Sequence, residues 1–372
     1  MSARALVAEG SVKNLWSTEN SNEIDFEFSD AYSVFDWGRM PDQLQGKGEA
    51  LAQIGAFFFE TLASPDPWTD FFKNADAAVV RLGTKQGLSG ETLIKTADEL
   101  TRKGLISHYL AAVDTRSFRV RRAEVFVPKP ATYYGSSAFS YPLQPYLLCR
   151  SLKLIPLEVV FRFGVPHGSS YFARATQSSV ESLGATWPLK EQARFSFPVI
   201  EFFTKLEDTD RFLNFTDAMT LSGLSKVAFD RLIAKTALLG LWLQNFFAAR
   251  GLELWDGKFE WGALETNDGT ELVLLDSIGP DELRLTEPKS GMQVSKEFLR
   301  MLYRKSKWFE ARKKGDTTSG PPKLGESQRT IAADLYACLR DVVVQGVDAR
   351  VVEHLGSEMK KVLDQTPMGW PR

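Results

Sequence analysis

A chain of 372 residues, 44% hydrophobic and 25% charged, has the composition of a folded protein with room for two lobes rather than of a disordered tail. Its formal net charge of −2 argues against a nucleic-acid surface or a polybasic membrane anchor and favours small-molecule partners. Cys149 and Cys338 have no CxxC or Cys/His company, there is no signal-peptide core in MSARALVAEGSVKNLW, and no run of about 18 apolar residues occurs, so disulfides, structural zinc and membrane spans are not expected and a cytoplasmic location is.

In chain order, ALVAEGSVKNLWSTENSNEIDFEFSDAYSVFDWG reads as short strands turning at GS and NSN, a curled antiparallel sheet. KGEALAQIGAFFFETLAS carries Leu51, Ile54, Phe57, Phe58 and Leu62 at helical spacing, and ADAAVVRLG and SGETLIKTADELTRKGL read as further helical pieces, the latter capped at Ser89. SHYLAAV and RVRRAEVFV read as strands. KPATYYGSSAFSYPLQP reads as a loop, and PLQPYLLCRSLKLIPLEVVFRFGV as at least two strands broken at Pro156. SKVAFDRLIAKTALLGLWLQNFFAARG is an amphipathic core helix, expected to be bent or interrupted near Gly240, with Gly251 as its C-cap candidate. After it come a hairpin, a basic helix in VSKEFLRMLYRKSKWFEARKKG, a GDTTSGPPKLGES linker and two terminal helices.

That hairpin carries the chemistry. In KFEWG, alternation puts Lys258 and Glu260 on one face of a strand, and LLDSIGPDELRL delivers Asp276 beside them after the turn ETNDGTE. Two carboxylates and an amine meeting at one point suit magnesium and phosphate, since Mg²⁺ takes one or two carboxylates plus phosphate oxygens. A solvated cross-strand ion pair would use the same residues.

Around the hairpin, EGSVKNLW, YSVFDWG, QGKGEALAQI, LKLIPLEVVFRFGVPHGSS, VIEFFTKLEDTD, KFEWG, DSIGPDELRL and SKEFLR follow one another across residues 6–335. In that order they resemble the signature blocks of the SAICAR synthetase family, in which ATP activates the carboxylate of carboxyaminoimidazole ribotide (CAIR) and the amine of aspartate displaces phosphate to form an amide. The resemblance implies an α+β fold, with an antiparallel β-rich N-terminal lobe over 1–155 that holds a helical insertion at about 65–148. An α/β C-terminal lobe over 156–335 and a helical extension over 336–372 would follow, with the ATP cleft between the lobes.

Residue by residue, Glu9, Gly10 and Lys13 look like the loop covering the nucleotide phosphates. Arg150 to Glu158 is similar to the strand flanking adenine, with Arg150 at its start and Leu154 and Ile155 as apolar contacts. Glu260 and Asp276 match the magnesium-associated carboxylates, and Lys258 the lysine beside them. Ser33, Asp36 and Lys47 align with the substrate loop, and Arg162, Gly168, Ser169 and Arg284 with ribotide anchors, for which a guanidinium is suited by paired hydrogen bonds. Lys205 and Asp210 match a polar block at the rim. The catalytic set implied is Lys13, Lys258, Asp276 and Arg284. The cofactors are ATP and Mg²⁺, the partners are a small-molecule carboxylate and an amine, and self-association is left open. His167 is expected to touch substrate or shape its loop, and His108 and His354 to be structural or surface residues.

Three departures stand out. Ser11 replaces the first lysine of the phosphate loop, Ser277 replaces the second acid of a DE pair, and the R…GS block has one residue extra. Together with the long 65–148 segment they point to a diverged relative with its own substrate. A phosphotransferase, or a nucleotide-binding protein without turnover, is the other class that such a site could serve.

Overall fold

The computed structural model describes residues 4–73, 89–133, 136–166, 168–183, 185–348 and 350–371. The expected helical piece over 75–83 and His167 lie outside them.

Two antiparallel sheets dominate. The first has the order β1 (Leu6–Glu9), β2 (Lys13–Ser17), β3 (Glu23–Phe28), β5 (Ser117–Arg121), β4 (Tyr109–Asp114). Its inner face packs on α1 (Lys47–Ala63), whose Ile54, Phe58, Phe59 and Leu62 are buried. Thus part of the 65–148 segment completes the N-terminal sheet, while α2 (Gly90–Lys103), capped at Ser89 as expected, packs elsewhere against the long core helix.

The second sheet runs β10 (Phe212–Leu213), β9 (Arg194–Thr204), β8 (Lys153–Gly164), β11 (Glu253–Thr266), β13 (Leu283–Glu287), β14 (Met292–Gln293), with β12 (Gly269–Leu275) also on β11. Strand alternation gives it two characters. Val159, Phe161, Phe163, Phe259 and Trp261 are buried in the core, which the 23-residue helix α6 (Lys226–Ala248) helps to build, while Glu158, Arg162, Asp256, Lys258 and Glu260 alternate with them on the other face. Phe161 is seated between two glycines: a Cβ on Gly240 would lie 3.0 Å from its ring, and one on Gly257 2.7 Å. Gly240 therefore serves packing, and α6 runs through it without interruption.

Strand β11 changes partner along one edge. It pairs with β13 from Glu253 to Gly257 and with β12 from Glu260 to Thr266. The connection between those partners, residues 276–282, passes over the gap, and the Lys258 amide donates to the Glu282 carbonyl there at 3.1 Å.

Three local expectations change. Pro156 does not break the chain: β8 continues through it because the β8–β11 register slips between Glu260 and Gly262, a bulge that needs no amide from proline. The upstream stretch forms a short helix, α3 (Leu143–Leu148), instead of a strand. The Pro- and Ser-rich segment read as a loop is a hairpin of β6 (Lys129–Tyr133) and β7 (Ser136–Ser140).

The remaining helices are α4 (Gln177–Ser182), α5 (Phe215–Ser222), α7 (Lys296–Arg304), α8 (Lys307–Lys313), α9 (Glu326–Val344) and α10 (Arg350–Gln365). The basic segment is thus two helices, the second capped by Ser306, while α9 packs on α1 and ties the C-terminal region to the N-terminal sheet. No helix among the described residues is long and apolar enough to cross a membrane.

Gly104 caps the C-terminus of α2 and abuts the last residue of α1. It has φ +69°, and a Cβ there would sit 2.0 Å from the Ala63 carbonyl oxygen. Gly104→Ala is expected to lower unfolding free energy by about 2–4 kcal/mol, through both steric overlap and a disfavoured φ, as measured by urea denaturation.

Candidate active site

A cleft of about 500 Å³ opens where the first sheet faces the end of β12. Val7, Leu15, Ile24, Phe26, Val120, Val125, Leu154 and Leu275 form apolar walls, and Lys13, Glu260 and Asp276 form a charged end. Glu9 and Gly10 also line it, at the β1–β2 turn. Gly10 is required by close approach: its amide donates to the Lys13 carbonyl at 2.8 Å, and a Cβ would stand 2.7 Å from that oxygen. Leu154 faces the cleft, whereas Ile155, next along the strand, is fully buried in the core; alternation allows only one of the expected pair to touch a ligand. Arg150 is exposed before β8 and does not line the cleft.

Lys13 forms an ion pair with Asp276. Withdrawal from water pulls the Lys13 ammonium down to about 8, against the opposing pull of Glu282 and Glu260. Behind this pair, Lys205 bridges Glu260 at 2.7 Å and Glu158 at 3.1 Å, and Lys258 also bonds Glu158. Burial alone would raise the Glu158 carboxyl, but Lys258 and Lys205 hold it below its ordinary value. Asp210, at the exposed edge, is pushed up to about 6 by burial and by the charge of Glu158, with Asp36 contributing from the opposing loop. Lys258, Glu260 and Asp276 are therefore together as expected, with Lys13, Lys205 and Asp210 beside them.

Lys47 is separate from this group. It is fully buried, with its ammonium 3.0 Å from Asp281 and 5.1 Å from the centre of the Tyr336 ring, so it anchors the 276–282 connection to α9. Tyr336 also donates to Asp281 at 2.7 Å.

A charge ladder crosses the same sheet face. Arg162 bonds Glu201 at 2.6 Å and Asp256 at 2.9 Å; Arg174 joins Glu201 at 2.8 Å; Arg284 lies 3.5 Å from Asp256 and 3.9 Å from Glu297. Arg162, 7% exposed, is occupied at both ends. Arg284 retains a buried Nη1 with no hydrogen-bond partner among the described residues. Ser169 is buried and its hydroxyl caps the turn Ser170–Ala173, while Gly168 has φ +72°. Ser33 and Asp36 lie on a loop in which Phe35 and Asp36 both have positive φ, and Phe35 stacks near Phe309. Arg39 links that loop to the β1–β2 turn, bonding Glu9 at 2.8 Å and the Gly10 carbonyl at 3.2 Å.

Sequence reasoning missed Glu158 and Glu282. For Glu158 a signal existed, since in LEVVFR it lies four residues before Arg162 and shares its strand face. Glu282 is different: its Oε2 is buried without a hydrogen-bond partner among the described residues, and burial together with Asp281 pushes its carboxyl up to about 7, against Lys13 and Lys258. Ser277, where an acid was expected, is 6% exposed and lies near Gly55 of α1, not in the cleft wall.

An apolar slot ending in paired lysines and carboxylates, set between two antiparallel sheets, has the form of an enzyme cleft. The chain belongs to the SAICAR synthetase family, ligases that form a carbon–nitrogen bond: the family model matches residues 6–314. A provisional phosphoribosylaminoimidazole-succinocarboxamide synthase of Archaeoglobus fulgidus is 30% identical over 374 aligned positions, covering 95% of this chain and all of that one. The fold is similar to that of SAICAR-synthase from Saccharomyces cerevisiae complexed with SAICAR (TM-score 0.56, 19% identity, 93% and 96% of the two chains). A SAICAR synthetase in complex with ADP is also similar (TM-score 0.50, 20% identity, 85% and 99%).

Glu282 gives the site a pH signature. Its carboxyl moves from an ordinary 4.5 to about 7, so between those values the folded chain holds a proton that the unfolded chain releases. This contribution makes stability fall as pH rises from about 4.5 to 7. Glu282→Gln should remove it, leaving the variant more stable than the parent at pH 8 by on the order of 1 kcal/mol and indistinguishable at pH 4. Urea midpoints across that range measure the difference; one that does not change with pH would contradict the assignment.

Proposed function

We propose that the chain couples cleavage of ATP to ADP and phosphate to amide formation between a heterocyclic carboxylate, CAIR or a close analogue, and the amine of aspartate or another amino acid. The observation that carries this reading is the meeting of the apolar slot with Lys13, Asp276 and Glu260 in a member of this family. The ADP complex of a structurally similar protein supports a nucleotide as the occupant. In this reading the base lies against Leu154, Val7 and Leu275, and the phosphates reach Lys13 beneath the Gly10 turn.

Magnesium fits these residues in one respect. Asp276 and Glu260 line the cleft together, and two carboxylates plus phosphate oxygens and water make a sufficient set. They form no protein cage: among the described residues no cluster of three His, Cys, Asp or Glu could hold a metal. When bound, the ion would neutralise phosphate charge.

The chain's own part is binding and positioning. The γ-phosphoryl group passes to the substrate carboxylate, giving an acyl phosphate and ADP; the amine attacks the acyl carbon, loses a proton, and phosphate leaves with the C–O bonding pair. Lys13 attracts the phosphates and Lys258 the reacting carboxylate. Arg284, with its unpartnered Nη1, is the ladder member best placed to take an anionic group, while Arg162 braces the ladder.

Two measurements test this. ADP release in the presence of CAIR-like carboxylates should require an amino acid, with an amide identified by mass spectrometry; release without an amine would instead make the protein a phosphotransferase. Asp276→Asn should reduce turnover at least about 100-fold with its melting temperature near the parent's. Full activity in that variant would remove Asp276 from the site.

A further inference from the structure

Leu275 and Asp276 are adjacent, yet both line the cleft. A regular strand forbids this, because consecutive side chains point to opposite faces. Leu274 is fully buried in the core, Leu275 faces the cleft, and residue 276 continued as strand would turn back toward the core. The alternation is broken by one dihedral: Asp276 has φ +63°, a left-handed conformation that costs a non-glycine residue about 1–2 kcal/mol. Something must hold it there.

The group in contact is His108. Its Nε2 lies 3.0 Å from the Asp276 carbonyl oxygen. A carbonyl only accepts, so Nε2 carries the proton. The ring is 3% exposed and is gripped edge-on by Phe26 and Phe59, with centroids 5.4 and 5.7 Å away. The backbone around it is fixed to the same strand: the His108 amide donates to the Leu274 carbonyl at 2.9 Å, and the Leu274 amide to that of Ile106 at 2.9 Å. Burial, with Lys13 and Arg121 nearby, pushes the imidazole down to about 3, so it stays neutral with a single N–H.

We propose that His108 is a positioning residue that clamps Asp276 in its left-handed conformation and thereby turns the carboxylate out of the core and onto Lys13 at the nucleotide site. The clamp spans the two sheets: the histidine comes from the segment leading into β4 and the aspartate from the end of β12. The part of this inference that concerns ligand affinity rests on the nucleotide reading above; the part that concerns the conformation of Asp276 does not.

The test uses the full chain and two readouts. His108→Phe keeps an aromatic ring but lacks the donor, and His108→Gln places an amide N–H near the Nε2 position. Titration with ATP is expected to show at least tenfold weaker binding for His108→Phe and no more than threefold for His108→Gln. In an Asp276→Asn background, His108→Phe should change affinity less than twofold, because the carboxylate it serves is absent. The second readout needs no ligand. Glycine adopts positive φ without a clamp, so His108→Phe should lower the melting temperature less in an Asp276→Gly background than in the parent. Equal losses in the two backgrounds would overturn the clamp, as would equal weakening by the Phe and Gln variants. If the parent binds no ATP, the nucleotide reading fails by itself and the melting cycle still decides the role of His108.

Discussion

The partner change along β11 is the constraint on which the site depends. A strand that kept one neighbour along its edge would leave no room for a crossing connection. Because β13 ends its pairing at Gly257 and β12 begins at Glu260, residues 276–282 are drawn across the gap, and their acids arrive beside Lys258 and Glu260. The arrangement is topological before it is chemical. The antiparallel ladder decides where the carboxylates can be, and the lysines then make that place tolerable.

Charge balance at the site is close but incomplete. Glu158 and Glu260 share Lys205, Asp276 takes Lys13, and Asp281 takes Lys47. Each pair is held partly or wholly out of water, where an unmatched charge is costly. Against that background Glu282 Oε2 and Arg284 Nη1, without a hydrogen-bond partner among the described residues, are two exceptions near the site, and both belong to the connection or strand that immediately follows Asp276. A buried polar group without a protein partner is one that a charged ligand can satisfy.

Much of this was legible in the sequence, because strand alternation and helical spacing are local properties. The faces of KFEWG and LEVVFR, the helix over Lys47–Ala63, and the joint appearance of Lys258, Glu260 and Asp276 all follow from spacing and block order. What was not legible depends on distance or on a single dihedral. Lys47 reads as a substrate-loop residue, but its partner Asp281 is over two hundred positions away. Pro156 signals a break unless the bulge in its neighbour is known. Asp276 gives no hint of positive φ, since glycine is the usual marker of that conformation, and His108 looked structural because its purpose appears only with that dihedral. Ser277 reads as a missing charge beside Asp276, and its burial near Gly55 of α1, outside the cleft wall, depends on the path of the chain after Asp276.

The seat of Phe161 between Gly240 and Gly257 has a mechanical consequence. A ring lodged in matching notches on a helix and a strand works as a keyed joint: α6 cannot slide along the sheet or roll on it without withdrawing the ring from both. The strands carrying Glu158, Lys258 and Glu260 therefore move with the helix as a single body. Sliding between α6 and this sheet is thus no route by which the cleft could open.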